Sequence, residues 1–239
     1  MTQIKELLIK GCGELGLEIL PSQLEQFEKY AQLLIDWNSK VNLTAIVEPE
    51  AIAVKHFIDS LAIMAKMPIV NGASIADVGT GAGFPGIPLR IMRSDLNILL
   101  LDSLQKRVRF LNYVINELCL HNITASHGRA EEAGHKREYR EAYDITVSRA
   151  VSSLNTLAEL CLPLIKVGGL FIALKGPQVE AELKQAKQAI GLLGGTIREV
   201  ISYALPINGD QRTIVIIEKT AHTPARFPRR PGIPEKQPL

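Results

Sequence analysis

The sequence predicts an α/β fold, a doubly wound and mostly parallel sheet of seven strands, Rossmann-like, preceded by a helical extension. Three observations carry this. Ser74 to Ile91 (SIADVGTGAGFPGIPLRI) is an apolar β-type run that breaks into glycines and restarts as a helix. Roughly twenty residues beyond those glycines, a second apolar run, Asn97 to Leu101, ends on a carboxylate, Asp102. From there β-type and amphipathic helical segments alternate until two β-type runs close the series, the pattern of a sheet wound with crossover helices.

Taken in order, residues 1–66 read as helical. Leu24, Phe27, Ala31, Leu34 and Ile35 recur at helical spacing after Pro21 and Ser22, and the pattern reaches Trp37 and Asn38 before Asn42-Leu43-Thr44 breaks it. A second periodic segment, Pro49 to about Met67, carries His56, Asp59 and Ser60 among Ile52, Phe57, Leu61 and Met64. These polar residues either face a site or form a cap and a surface pair. In the glycine stretch, Ile75, Ala76 and Val78 around Asp77 suit a buried strand. Gly79, Gly81 and Gly83 then allow positive φ and bring N–H groups close to a ligand. Pro85 and Pro88 fit a first helical turn. Such a loop lies at the carboxyl end of its strand, where open α/β sheets bind ligands.

Asn97 to Asp102 is the second strand. The helix after it, about Leu104 to Leu120, is amphipathic through Leu104, Val108, Leu111, Ile115 and Leu118, with Lys106, Arg107 and Arg109 in its first turns against the helix dipole. Ile123 to Ser126 reads as the third strand, and Gly128-Arg129-Ala130-Glu131 as the loop beyond it. Tyr143 to Ala150 is the fourth strand and its carboxyl end, which places Arg149 over the site. A helix from about Leu154 to Ile165, a turn at Gly168-Gly169 and a fifth strand, Leu170 to Leu174, ended by Lys175-Gly176, follow. Gln178 to Leu193 is helical to Gly194-Gly195. Ile197 to Ala204 and Thr213 to Glu218 close the sheet, the last strand antiparallel. The expected organisation is an extension over 1–66, a sheet domain over 67–219 and a basic, Pro-rich tail over 220–239.

Composition narrows the class. The 239 residues are 46% hydrophobic, enough for a full core. No apolar run is long enough to span a bilayer, and MTQIKELLIK lacks the centre of a signal peptide, so the expectation is a soluble, cytoplasmic protein with no membrane partner. Cys12, Cys119 and Cys161 are odd in number and far apart, which fits buried free thiols and neither a disulfide framework nor a zinc site. The net charge of +2 is too small to announce a nucleic-acid binder. The tail concentrates Arg226, Arg229, Arg230 and Lys236 against Glu235, as an RNA contact or as a solvated segment.

The glycine loop admits two cofactor frames. Gly81-Ala82-Gly83-Phe84-Pro85-Gly86 satisfies G-x-G-x-x-G, but Phe84 and Pro85 fill the approach a pyrophosphate needs, and Pro85 removes a donor. Asp77-Val-Gly79-Thr-Gly81-Ala-Gly83 fits better. It resembles motif I of the S-adenosylmethionine-dependent methyltransferases, whose ligand carries an amino group and a sulfonium that a nearby carboxylate would favour. Asp102 sits where a ribose-binding acid belongs in either class, or where a cap for the following helix belongs. A nicotinamide-dependent oxidoreductase and a non-enzymatic RNA-binding or assembly factor are the rival readings.

The ordered set of motifs is more specific than any one of them. Trp37-Asn38 with Asn42-Leu43-Thr44, His56-Phe57 with Asp59-Ser60-Leu61, Asp77 through Pro88, Leu101-Asp102-Ser103 with Lys106-Arg107, and Gly128-Arg129-Ala130-Glu131 come first. Ser148-Arg149-Ala150, Leu174-Lys175-Gly176, Thr223-Pro224, Phe227-Pro228-Arg229 and Gly232-Ile233-Pro234 follow. Together they resemble the RsmG (GidB) family of bacterial 16S ribosomal RNA guanine-N7 methyltransferases. The resemblance implies methyl transfer from S-adenosylmethionine to guanine N7 in the 530 loop, with 16S rRNA or the small ribosomal subunit as partner and no metal. By position it implies cofactor contacts at Gly79, Gly81, Phe84, Asp102, Ala130, Glu131 and Arg149. Arg149 has two roles open to it, the methionine carboxylate through a neighbour or the RNA. Lys106, Arg107, Lys175, Arg229 and Arg230 are the candidate phosphate contacts. Asp59 or Glu131 is the candidate to stabilise charge on the methylated base, and Phe84 or Trp37 to stack on it.

Overall fold

In the computed structural model, which describes residues 2–149 and 152–239, seven strands form one sheet. They are β1 (Ser74–Val78), β2 (Asn97–Asp102), β3 (Ile123–His127), β4 (Tyr143–Arg149), β5 (Ile165–Lys175), β6 (Gly195–Ala204) and β7 (Gln211–Lys219), in the order β3-β2-β1-β4-β5-β7-β6. Only β7, inserted between β5 and β6, runs antiparallel. The winding reverses between β1 and β4, so the crevice of a doubly wound sheet opens at their carboxyl ends. The buried runs Ile75–Val78 and Ile98–Leu101 are what strands covered on both faces require. Ala150, expected to end the fourth strand, lies outside the described residues.

One face of the sheet is covered by α1 (Gln3–Glu14), α2 (Pro21–Val41), α3 (Pro49–Ile52), a π-helical turn at Ala53–Ile58, α4 (Asp59–Lys66), α5 (Gly86–Met92) and α6 (Gln105–Glu117). The extension has no core of its own. Phe27, Tyr30 and Phe57 join Phe84, Ile87 and Leu100 in one apolar cluster. The other face carries α7 (Ala130–Ala133), α8 (Leu154–Cys161), α9 (Glu180–Leu192) and α10 (Ile233–Lys236), over Ala76, Leu101, Phe171 and Ile217.

Four expectations need correction. Gly168-Gly169 is no turn but part of β5, which starts at Ile165 and shifts register against β4 between Tyr143 and Ile145. The helix expected to reach Ile165 stops at Cys161 and becomes a 3₁₀ turn, Leu162–Leu164, because Pro163 has no N–H to continue it. Cys12 and Cys161 are buried, but Cys119 is exposed. The tail is not a solvated arm. Phe227 is buried in the second core, and the Arg140 guanidinium donates to the carbonyls of Thr223 (2.7 Å) and Phe227 (2.8 Å). The fully buried Lys219 ammonium donates to Thr223 Oγ1 and, over 2.7 Å, to Leu162 O.

Candidate active site

The glycine loop is shaped from below by Asp77. This carboxylate is fully buried, and its Oδ2 accepts from Thr80 Oγ1 (2.6 Å) and from the Gly86 N–H (2.8 Å). Its Oδ1 has no partner. Burial, opposed by those two hydrogen bonds, pushes its pKa up to about 7. Asp77 therefore grips the loop rather than facing the ligand, contrary to the expectation of a carboxylate offered to the cofactor's cation. A Cβ on Gly86 would stand 2.8 Å from Asp77 Oδ2, which is why only glycine fits there. The same contact decides between the cofactor frames. At the start of α5 the Gly86 N–H goes to Asp77, the Ile87 N–H goes to Gly83 O (2.8 Å) and Pro88 has none. No donor remains there for a pyrophosphate.

Above Asp77, the loop is tied to the end of β2. The Gly79 N–H donates to Leu101 O (2.9 Å) and the Gly81 N–H to Asp102 Oδ2 (2.9 Å), with φ of 69° and 63° at the two glycines. Asp102 Oδ1 accepts from the Leu104 N–H (2.8 Å), and Arg107 Nη1 lies 3.4 Å from Oδ2. The acid thus caps the entry to α6 and also clamps the loop. Beside it opens a cavity of about 170 Å³ whose walls include Val78, Gly79, Leu101, Ala130 and Glu131. A Cβ on Gly81 would meet nothing within 4 Å, so that side of the loop is open to a ligand. Apolar walls for a base, with Glu131 and Glu235 against a single Arg129 at the rim, suit a nucleoside bearing positive charge. These residues fit S-adenosylmethionine.

A second cavity, about 330 Å³, lies at the ends of β4 and β5 and is lined by Lys55, His56, Asp59, Arg149, Lys175 and Arg212, among others. Arg149 organises it. Its Nη1 donates to Lys55 O (3.0 Å) and His56 O (3.4 Å), carbonyls of the π turn, and stands 3.3 Å from Asp59 Oδ2. Its Nη2 lies 3.0 Å from His56 Nδ1 and its Cζ 4.9 Å from the centre of the Phe84 ring. A guanidinium only donates, so Nδ1 must be unprotonated and Nε2–H faces Thr44 Oγ1 at 3.0 Å. Burial, and then Arg149, pull the His56 pKa down to about 3, so this imidazole is neutral and is no acid at physiological pH. Burial raises the Asp59 pKa against the pull of Arg149 and Arg212, whose Nε is 3.4 Å from Oδ1.

The remaining candidates separate. Lys106 and Arg230 are exposed. Lys175 is drawn inward to Ser152 O (2.8 Å) and Glu182 (2.7 Å). Arg229 is not free for phosphate, because its guanidinium binds the fully buried Glu159 carboxylate at 2.6 Å and 2.9 Å. Neither stacking platform is open either. Phe84 is buried, its ring stacked on His56 (centroids 4.4 Å apart) and Tyr30 (5.4 Å), and Trp37 packs on Phe110 and Tyr113. Lys55 and Arg212 are site residues that the sequence reading missed. Lys55 lies one helical turn before Asp59. Arg212 had a topological signal: an antiparallel closing strand sets its first residues beside the last of strand five, and Thr213 pairs with Lys175. Among the described residues, no group of three His, Cys, Asp or Glu could hold a metal, and no helix is long and apolar enough to cross a membrane.

Comparisons with known proteins agree with this architecture. By fold, the chain is similar to Thermus thermophilus TrmN (TM-score 0.52, 17% identity, 68% of this chain and 48% of that one). It is likewise similar to the Methanococcus jannaschii fibrillarin pre-rRNA processing protein (TM-score 0.51, 18% identity, 65% and 70%). The family model described as GidB, rRNA small subunit methyltransferase G, matches residues 23–214. The ribosomal RNA small subunit methyltransferase G of Desulforamulus reducens is 48% identical over the whole of both chains. That of Lachnoclostridium phytofermentans is 52% identical over 97% of this chain and 96% of its own. With the family model spanning most of its length and relatives near half identical from end to end, the chain belongs to the rRNA small subunit methyltransferase G (GidB) family.

Proposed function

We propose that the chain methylates N7 of a guanine in the 530 loop of 16S rRNA, as naked RNA or within the small ribosomal subunit, using S-adenosylmethionine. The observation that carries this reading is the pairing of two cavities: an apolar, acid-rimmed one beside Gly79 and a basic one around Arg149. The cofactor supplies an electrophilic methyl on sulfonium. On the chain's side, the Gly79 and Gly81 backbone, Asp102, Ala130 and Glu131 bind the adenosine portion. Phe84, buried, packs under the loop, and Arg149 lines the second cavity.

Guanine N7 has a lone pair in the base plane, so its attack on carbon needs alignment and exclusion of water but no base catalyst. A neutral His56 held by Arg149 and Thr44 is consistent with that demand, since it aligns without taking a proton. The methylated base gains the positive charge that the sulfonium loses. Asp59, buried at the cavity wall, supplies negative potential toward that charge, with Arg149 and Arg212 opposing the rise in its pKa that burial causes. Lys106 and Arg230, both exposed, supply phosphate contacts together with the half-buried Arg107, whereas Lys175 is held by Ser152 and Glu182. The test is mass analysis of small-subunit RNA from cells with and without the protein. Loss of one 7-methylguanine is expected, and an unchanged RNA overturns the proposal.

A further inference from the structure

The family match ends at residue 214, yet the chain beyond it reaches back to the adenosine-side cavity. Pro234 and Glu235, from α10, are among the residues lining that cavity. The Gly232 N–H donates to Glu131 Oε1 at 2.9 Å, Thr156 Oγ1 donates to Pro234 O at 3.1 Å, and Asn155 Nδ2 donates to Leu239 O at 3.1 Å. Glu131 and Thr156 also line the cavity, so the tail both walls it and orients side chains inside it. Upstream, the Arg229 backbone N–H and guanidinium grip the two oxygens of Glu159, a carboxylate with no exposure of its own. A bidentate pair of this kind specifies direction as well as attraction. It sets where the chain leaves for Gly232, whose φ of 80° turns it over the cavity.

We infer that residues 232–239 are a positioning element of the cofactor site, the missing wall of the adenosine cavity, and that Arg229 acts as its anchor rather than as a phosphate contact. This rests on the reading of that cavity as the place for the adenosine of S-adenosylmethionine. It assigns the tail's last turn to cofactor affinity and leaves RNA contact to the exposed cations elsewhere.

Two variants test it, with S-adenosylhomocysteine as the probe and calorimetry as the readout. A chain truncated after Pro231 keeps the Arg229–Glu159 pair, and its melting without ligand should stay cooperative. Its Kd should rise about tenfold or more, equivalent to ~1.4 kcal/mol, with kcat at saturating cofactor within about twofold of the full chain. Arg229→Ala should raise the same Kd, and Arg229→Lys should restore part of the loss, because a single ammonium still pairs with Glu159 but without the fork. If the full chain binds the probe and the truncated chain binds it equally well, the inference is overturned while the proposed function stands. If the full chain does not bind it, the reading of the cavity falls and the inference falls with it.

Discussion

Replacing Asp77 by asparagine should make the protein more stable at alkaline pH and abolish one component of its pH dependence. The side chain is fully buried, with Oδ2 accepting two hydrogen bonds and Oδ1 accepting none. An asparagine can place its carbonyl oxygen where Oδ2 stands and keep both bonds, while its amide group occupies the unpartnered side. What changes is charge. The carboxyl pKa is raised from 3.8 to about 7, mainly by burial, so the folded protein holds a proton that the unfolded chain releases. The stabilisation from that proton is full below about pH 4 and is lost as pH rises through about 7. At ~1.4 kcal/mol per pH unit, the whole displacement is worth on the order of 4 kcal/mol. Urea denaturation of both proteins without ligand, at several pH values between 5 and 8.5, isolates it. The advantage of Asp77→Asn over wild type should grow across that range and level off above pH 7. Asp77→Ala, which strands Thr80 and Gly86, should be about 2–4 kcal/mol less stable than Asp77→Asn at every pH. A difference between wild type and Asp77→Asn that is flat in pH would refute the argument.

Other outcomes follow from the same geometry. Gly86→Ala puts a Cβ 2.8 Å from Asp77 Oδ2, and should cost about 1–3 kcal/mol in denaturation and weaken cofactor binding. Arg149→Lys cannot serve the Lys55 and His56 carbonyls, His56 Nδ1 and Asp59 together. It should slow single-turnover methyl transfer about tenfold or more with the fold retained by circular dichroism. Asp59→Asn should slow the same step at saturating RNA, and a wild-type rate would remove Asp59 from the mechanism. Alanine at both Lys106 and Arg230 should reduce the slope of log affinity against log salt by about 1.4 for a single-stranded target, read from RNA titrations at a series of salt concentrations.

The doubly wound sheet and its antiparallel last strand were legible because each strand is a short apolar run and each crossover helix carries its own period; the glycine loop was legible because positive φ leaves a mark in the residue type. Of the two roles the sequence left open to Asp102, a ribose-binding acid and a cap, the contact with the Leu104 N–H at the α6 entry is the cap, while the hold on the Gly81 N–H was not foreseen. What could not be read was direction. Nothing local says that Asp77 turns down toward Gly86 rather than up toward a ligand, or that Arg229 turns in toward Glu159 rather than out toward phosphate. Both depend on partners 9 and 70 residues away. Pro163 and the Gly168-Gly169 pair depart from expectation for opposite reasons. Pro163 acts on its local preference and ends the helix expected to run through it to Ile165, whereas the turn preference of the glycines is overridden by tertiary pairing that extends a strand through them.

The π turn at Ala53–Ile58 carries a consequence for how such a pocket can arise or vanish. Relative to an ordinary helix it accommodates one surplus residue, and it is there that two carbonyls are presented to Arg149. Excising a single residue from the segment would restore regular winding with the turns on either side kept in phase, and would remove the widened turn itself. The carbonyls at Lys55 and His56 would then return to ordinary helical hydrogen bonding and leave Arg149, while the hydrophobic stripe kept its phase. A one-codon length change, invisible to composition and nearly silent in helix propensity, is therefore enough to release Arg149 from this turn and leave the glycine loop as it is.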